Sequence, residues 1–317
     1  MSIDPPSASA SSRTAKLQRY LRFVDANFGI DTLAEVPTDA DHTADYYEDS
    51  YWAYHFVHSK EGAIHMALNP GGTFDRAGYY GQACIVERVM REIGAHDVLE
   101  LAMGRGFNSR YLAAQHPGRA FTGIDLTPKH VRAARREAQA QPNVSFLQAN
   151  FHSLPFNDAA FDLLFVVESL CHSDNLPMAL REAHRVLRPG GRFIVIDGFR
   201  TGDAGAHGES WATAATLVER SMSVDRFFDR DAFLATAAET GLACRTHNDL
   251  SQAILPTLRR YEDRALQYYE SRLMNTLFRW MLPRNMLQNS VAGALMPLTI
   301  EQGLHSYDQM TLEKPAA

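Results

Sequence analysis

The sequence predicts an α/β fold, with a parallel sheet wrapped by helices on both faces, a helical lid before it and a helical insertion ahead of its last strand. Two observations carry this. From Tyr80 onward short apolar runs alternate with helical stretches, which is the chain order of parallel strands joined by crossover helices. The first of these runs enters LELAMGRGF, where a strand, a tight turn and a helix follow one another and bring backbone N–H groups to a helix start.

Taken in order, residues 1–14 are rich in Ser, Ala and Pro, bury little and are expected to form a disordered tail. Residues 15–79 read as a helical lid crowded with aromatics, in LQRYLRFVDANFGI and ADYYEDSYWAYHFVH. The core covers 80–255. Strands are expected at 98–101, 120–124, 144–148, 161–167 and 192–197. Helices GQACIVERVMREIG, SRYLAAQH, PKHVRAARREAQA and LPMALREAHRVL lie before and between them. GDAGAHGESW, with His207 and Trp211, reads as a glycine-rich loop, either a pocket lip or solvated; a helix near 230–241 and a strand in LACRTHNDLS follow. Residues 256–298 form a helical cap insertion, and 299–317 hold the last core strand, in SYDQMTLEK, and the C-terminus.

The insertion sets Arg259, Arg260, Arg264, Arg272, Arg279 and Arg284 against Glu262, Asp263 and Glu270, so it is basic within a chain of formal charge -6. Its Leu, Met, Phe and Trp residues at helical spacing suit a core or dimer contact, or the wall of a long pocket; its basic face suits acidic lipid headgroups. A homo-oligomer and a peripheral membrane contact are therefore both expectations.

With 317 residues, 45% of them hydrophobic, the chain can bury a substantial core. The negative balance argues against a broad electrostatic grip on nucleic acid and favours a small-molecule partner. Cys84, Cys171 and Cys244 are scattered, so neither a disulfide framework nor a metal site is indicated, which suits a reducing cytoplasm. No run approaches the roughly 20 apolar residues that span a bilayer, and the first residues lack the apolar core of a signal peptide. A soluble cytoplasmic protein without a metal is expected.

A dinucleotide turn would need glycine at 102, 104 and 107, where this chain has Ala102, Gly104 and Phe107. Instead Glu100 precedes the turn and Asp125 closes the next strand, 21 positions after Gly104. A carboxylate at that distance can accept hydrogen bonds from a ribose diol, and its charge repels a ribose phosphate. Each acid has a plainer reading: Asp125 can start a turn, and Glu100 can pair with Arg105 or Arg110.

With VLELAMGRG, FTGIDLT, VSFLQANFHSLPF, FDLLFVVESLCH and LRPGGRFIVIDG in order, the chain resembles the class I S-adenosylmethionine-dependent methyltransferases over about Tyr80 to Phe199. The resemblance implies a Rossmann-like seven-stranded, mostly parallel sheet with a reversed last hairpin. It also implies S-adenosylmethionine as cofactor, released as S-adenosylhomocysteine. Carried over by residue, Glu100 contacts the methionine amino group or the far side of the loop, and Ala102, Gly104 and Gly106 form that loop. Asp125 holds the ribose hydroxyls with Leu126 beside it, Asn150 meets the adenine amino group and Phe151 lines the adenine pocket.

The segment VVESLCHS further resembles sterol and tocopherol C-methyltransferases. That likeness makes Glu168 a charge stabiliser, base or methionine anchor, with His172 nearby and Tyr79 or Tyr80 offering a hydroxyl or aromatic face. SYWAYHFVHSKEGAIHMAL resembles the lid of this group. The expected activity is methyl transfer to a hydrophobic small molecule, at carbon of a terpenoid or sterol-like acceptor. The rivals are an O- or N-methyltransferase of a polar secondary metabolite, with Glu168, His172 or a tyrosine as base, and a non-catalytic cofactor-binding regulatory protein.

Overall fold

A computed structural model describes residues 8–37 and 62–316 of the protein. Strands β1 (Asp97–Leu101), β2 (Ala120–Asp125), β3 (Val144–Gln148), β4 (Phe161–Val167), β5 (Leu187–Arg200), β6 (Ala243–Asp249) and β7 (His305–Glu313) form one sheet in the order β3-β2-β1-β4-β5-β7-β6. β1 runs parallel to β2 and β4, β2 to β3, and β4 to β5. β7 is antiparallel to both β5 and β6, which is the reversed hairpin that the resemblance implies. β5 is longer than expected because the RPGG turn lies inside its bounds and its far end continues to Arg200.

The central strands are apolar at nearly every position because both of their faces are covered. Val98, Leu163, Phe165, Ile194 and Ile196 belong to one core, and Leu99, Leu164, Val166, Phe193 and Val195 to the other. Successive residues thus enter opposite layers, as the period of two requires. The second layer includes α6 (Leu176–Val186) and α8 (Arg230–Glu239). The first includes α3 (Gly81–Glu92), α7 (Glu209–Ser221) and the helices between β6 and β7, namely α9 (Ser251–Glu270) and α11 (Arg284–Glu301). α4 (Phe107–Gln115) follows β1 and α5 (Pro128–Glu137) follows β2. β6, at the sheet edge, is exposed throughout and carries Arg245 and His247, charged or polar side chains that discourage edge pairing.

Two expectations are corrected. The disordered tail was expected to reach residue 14, but α1 (Ala8–Phe28) begins inside it. Leu17, Tyr20, Leu21, Val24 and Phe28 give that helix a buried face, and Arg13 donates to the Glu301 carbonyl, so tertiary docking carries the helix back into the Ser/Ala stretch. The loop assigned to GDAGAHGESW ends at Gly208, whose φ of 96° starts α7. Trp211 sits inside that helix at 4% exposure, with Ala214, Ala215 and Val218 repeating its face, while His207 is exposed and pairs with Gln302.

The insertion 256–298 is found between β6 and β7, as α9, α10 (Arg272–Met281) and α11. It does not stand alone: Tyr20 of α1 donates to Glu262 at 2.8 Å, Lys16 pairs with Glu262 at 2.6 Å, and Arg19 pairs with Glu270. Residues 15–37 therefore brace the cap. The aromatic stretch 44–58 of the expected lid lies outside the described residues.

A buried ion pair fastens the far ends of β5 and α7. Glu219, with no exposure, accepts from both sides of the Arg200 guanidinium at 2.7 and 2.6 Å and from the Phe227 N–H at 3.0 Å, with the His305 ring beside it. Burial pushes its carboxyl up, but Arg200 and His305 outweigh that and hold it below the usual range. Arg200→Met leaves this charge uncompensated and should cost about 3–5 kcal/mol in urea unfolding. A loss below about 1 kcal/mol would show that Glu219 finds another partner.

Candidate active site

In strand order β1 and β4 are neighbours, but the chain leaves them toward opposite edges of the sheet. A crevice opens where the connections diverge, beyond the carboxyl ends of these strands. The loop after β1 fills one side of it. Ala102, Gly104 and Gly106 have φ of 48°, 56° and 67°, so all three positions are left-handed. Alanine keeps the glycine-type turn at the cost of Cβ strain. Gly106 must also be small: a Cβ there would come within 2.6 Å of the Phe146 ring.

Glu100 points to the start of α4, where it accepts from the Ser109 N–H at 3.1 Å, the Ser109 hydroxyl at 2.5 Å and the Asn108 amide at 3.2 Å. Arg105 and Arg110 pair with Glu137 instead, so the plainer reading of Glu100 as their partner fails. At 2% exposure, burial raises its carboxyl to about 7 despite the Ser109 and Asn108 bonds.

Asp125 accepts the Gly104 N–H at 2.8 Å on one oxygen, and the Thr127 N–H at 2.8 Å and the His130 ring at 3.3 Å on the other. It both starts the turn and fixes the glycine loop. One of its oxygens, holding a single protein contact, keeps acceptor capacity toward the crevice. Leu126 is 50% exposed on the crevice wall. Asn150 is exposed there, its side-chain oxygen accepting from the His152 N–H at 2.8 Å, and Phe151 meets the His152 ring edge-on at 4.6 Å.

The other side is built at the end of β4. Glu168, also left-handed at φ 49°, accepts the Met66 N–H at 2.8 Å and the Tyr307 hydroxyl at 2.7 Å on one oxygen. Burial raises its carboxyl to about 7, with Tyr307 and Met66 pulling the other way. Gln82 donates to the Met66 carbonyl at 2.7 Å and to the Tyr307 hydroxyl at 3.2 Å, closing a network of four residues. Asp197, raised to about 6 by burial, accepts the N–H groups of Ser169, Cys171 and Gly198 and so shapes the turn that carries His172. His172 is lowered to about 4 by burial and is neutral at physiological pH; a proton on Nδ1 facing the Ser223 carbonyl at 3.2 Å leaves Nε2 as the basic nitrogen.

One cavity of about 840 Å³ takes in Glu100, Ala102, Gly104, Asp125, Leu126, Asn150, Phe151, Glu168 and His172. Gly106 is not on its wall and acts through packing. Tyr80 is also absent from the wall: its ring packs behind the lining residue Phe107 at 5.1 Å and on Tyr111 at 4.8 Å. Several wall residues escaped sequence reasoning, among them His65, Asn108, Asp197, Tyr261, Arg264 and Tyr307. Tyr307 was legible only as part of a strand, and the chain brings it to Glu168 across 139 positions.

His65 and Asn108 test whether the site suits S-adenosylmethionine. With Nδ1–H turned to the Met66 carbonyl at 3.2 Å, buried Nε2 of His65 and Oδ1 of Asn108 interact with each other but make no hydrogen bond of normal geometry among the described residues. Burial lowers His65 to about 4, so it stays neutral. Two such buried atoms near the Glu100 carboxyl suit an ammonium group, which donates three hydrogen bonds. Asp125 suits a ribose diol. The residues present therefore fit the amino acid and nucleoside ends of that cofactor.

Residues 99–195 match the family described as Methyltransferase domain. The demethylmenaquinone methyltransferase of Thermus thermophilus is 38% identical over 101 residues, 32% of this chain and 46% of its own length. The 24-methylenesterol C-methyltransferase 2 of Oryza sativa is 28% identical over 183 residues, 56% of this chain and 50% of its own. The chain thus spans about half the length of these curated relatives. A solved structure described as a putative sarcosine dimethylglycine methyltransferase from Galdieria sulphuraria shares the fold, with a TM-score of 0.67 at 14% identity, over 84% of this chain and 98% of its own. Residues 99–195 are thus similar to the methyltransferase-domain family, and the sheet that carries them has the class I S-adenosylmethionine-dependent methyltransferase fold.

Two substitutions probe the cofactor side. Asp125→Ala should weaken S-adenosylhomocysteine binding in calorimetry by about 1–3 kcal/mol, since it removes an anionic acceptor and frees the Gly104 N–H. Unchanged affinity would take Asp125 out of the site. Ala102→Gly relieves a left-handed alanine and should stabilise the fold by up to about 1 kcal/mol, read as a higher Tm; a lower Tm would mean that the methyl group contributes more by packing than it costs in strain.

Proposed function

We propose that this chain binds S-adenosylmethionine across β1 and β4 and methylates a hydrophobic small molecule, at carbon of a terpenoid or sterol-like acceptor. The observation that carries the reading is the continuity of the cavity. Beyond Glu168 its wall passes to the insertion, where Leu258, Tyr268, Met274, Phe278, Leu287 and Met296 line it. Ligand pockets run to roughly 300–1,000 Å³, and this cavity of about 840 Å³ lies in the upper part of that range. The likeness to a sterol C-methyltransferase supports carbon as the site of transfer.

When bound, the cofactor would supply an electrophilic methyl group and leave as S-adenosylhomocysteine with the electron pair of the broken methyl–sulfur bond. Glu100, His65 and Asn108 would hold its amino group, Asp125 its ribose, and Asn150, Leu126 and Phe151 its adenine. The cap holds the acceptor's double bond in line with the methyl group, and excludes water. As the new C–C bond forms from the alkene electron pair, the neighbouring carbon becomes cationic. Glu168 stabilises that charge electrostatically, with the faces of Tyr261, Tyr268 and Phe278 on the same cavity wall. Loss of a proton from the adjacent C–H to Glu168 restores a double bond.

A second reading, transfer to oxygen or nitrogen, is favoured by one specific observation. Glu168, raised to about 7 by burial, lies on the cavity wall, and its carboxylate can take a proton from a hydroxyl or ammonium. Incubation with a deuterium-labelled methyl donor and a panel of prenyl and sterol-like alkenes, phenols and amines separates the readings, since NMR of the product distinguishes C–CD3 from O–CD3 and N–CD3. Cofactor binding without transfer to any of them would favour a regulatory protein.

Turnover should rise with pH through about 7 as Glu168 ionises. Glu168→Gln should lower kcat about 10²–10⁴-fold, flatten that profile and leave S-adenosylhomocysteine affinity within a few fold. The stability effect has the opposite sense. A carboxyl raised by burial from 4.5 to about 7 favours the fold while protonated, and this contribution is lost as pH rises through about 7. Wild-type rates in Glu168→Gln would make this carboxylate structural only.

A further inference from the structure

We propose that α10 docks the protein onto an anionic lipid bilayer and places the mouth of the acceptor cavity against that surface. Leu273, Leu277, Trp280 and Met281 are 76%, 41%, 85% and 58% exposed. Their spacing puts them on one side of the helix, an apolar face open to solvent. Met274 and Phe278, on the adjoining flank, line the cavity. A single helix of about three turns thus separates the cavity from an exposed apolar surface.

Charge selects the occupant. Residues 271–300 contain Arg272, Arg279 and Arg284 and no Asp, Glu or Lys, in a chain of net charge -6. All three arginines are exposed. Of the three acids of α9, Glu262 and Glu270 are already paired with Lys16 and Arg19 of α1, which leaves Asp263 alone outside those pairs. Arg279 in addition donates to the Asn27 carbonyl, which fixes the helix on α1. A second copy meeting this face through a two-fold axis would bring the same arginines together, which is repulsive. An anionic headgroup layer complements them, while the leucines, methionine and tryptophan suit the apolar boundary just beneath it. In that pose an apolar acceptor dissolved in the bilayer passes beside Met274 and Phe278 into the cavity without crossing water.

The test is flotation of the full chain with vesicles of phosphatidylcholine alone or mixed equally with phosphatidylglycerol, without cofactor or acceptor, so that the outcome is separate from that of the methyl-transfer reading. Binding is expected to the mixed vesicles only, and to fall with added salt. The double variant Leu277→Ser/Trp280→Ser should bind about tenfold less or weaker still. Arg272→Gln/Arg284→Gln should lose about fivefold per arginine. S-adenosylhomocysteine affinity should persist in both variants as the check on folding; if the first misfolds, the arginine pair, on the surface, still decides the question. Absence of binding to mixed vesicles, or equal binding of wild type and variants, overturns the proposal. A wild-type dimer in light scattering that Leu277→Ser/Trp280→Ser converts to monomer, with no vesicle binding, assigns the face to a second copy.

Discussion

The Glu168 carboxylate is the contact on which the acceptor side of the site depends. One of its oxygens receives the Met66 N–H and the Tyr307 hydroxyl, so it joins the end of β4 to the segment ahead of α3 and to the last strand. A carboxylate stripped of water must be met by donors, and these two, tied together by Gln82, are the ones the fold supplies. Its backbone is held left-handed at the same point, a strained conformation that persists because the surrounding network determines it. Burial raises the carboxyl to about 7, which suits the role proposed for it in methyl transfer.

The cofactor side follows the same rule with different donors. Glu100 receives the N–H and hydroxyl of Ser109 at the start of α4, and Asp125 receives the Gly104 N–H, so two acids shape the loop from below and from the side. Both are committed to backbone and side-chain donors before any ligand arrives, and the site is pre-formed to that extent. His65 and Asn108 are the exception, since their facing buried atoms make no hydrogen bond of normal geometry among the described residues. A ligand ammonium placed there would complete the hydrogen bonding that folding leaves open.

The cap is assembled from both ends of the chain. α1 lies against α9 and α11 through an apolar face and through ion pairs to Glu262 and Glu270, so the insertion acquires a rigid back. With those two acids paired, residues 271–300 carry arginine as their charge, at Arg272, Arg279 and Arg284. The roof of the cavity and the charge of the outer surface therefore arise from one packing arrangement.

The five parallel strands were legible in the sequence because buried parallel strands are apolar runs, and the two antiparallel strands expected after them also appear in the sheet. The cofactor loop was legible because Glu100, the glycines and Asp125 are local in sequence and chemically unusual together. α7 was hidden because GDAGAHG disguises a helix whose apolar face only packing reveals, and α1 reaches into a Ser/Ala stretch whose local composition does not require order. Tyr80 was read as a site residue from its place just before the core, yet its ring found Phe107 and Tyr111. Local chemistry thus determined the sheet, the turn and the identity of the acids. Only tertiary contact could decide that Tyr307 would hold Glu168, that His65 would face Asn108, and that the insertion would share its wall with the cofactor crevice. Those choices depend on residues separated by tens to hundreds of positions, and no periodicity or motif records which of them burial will bring together.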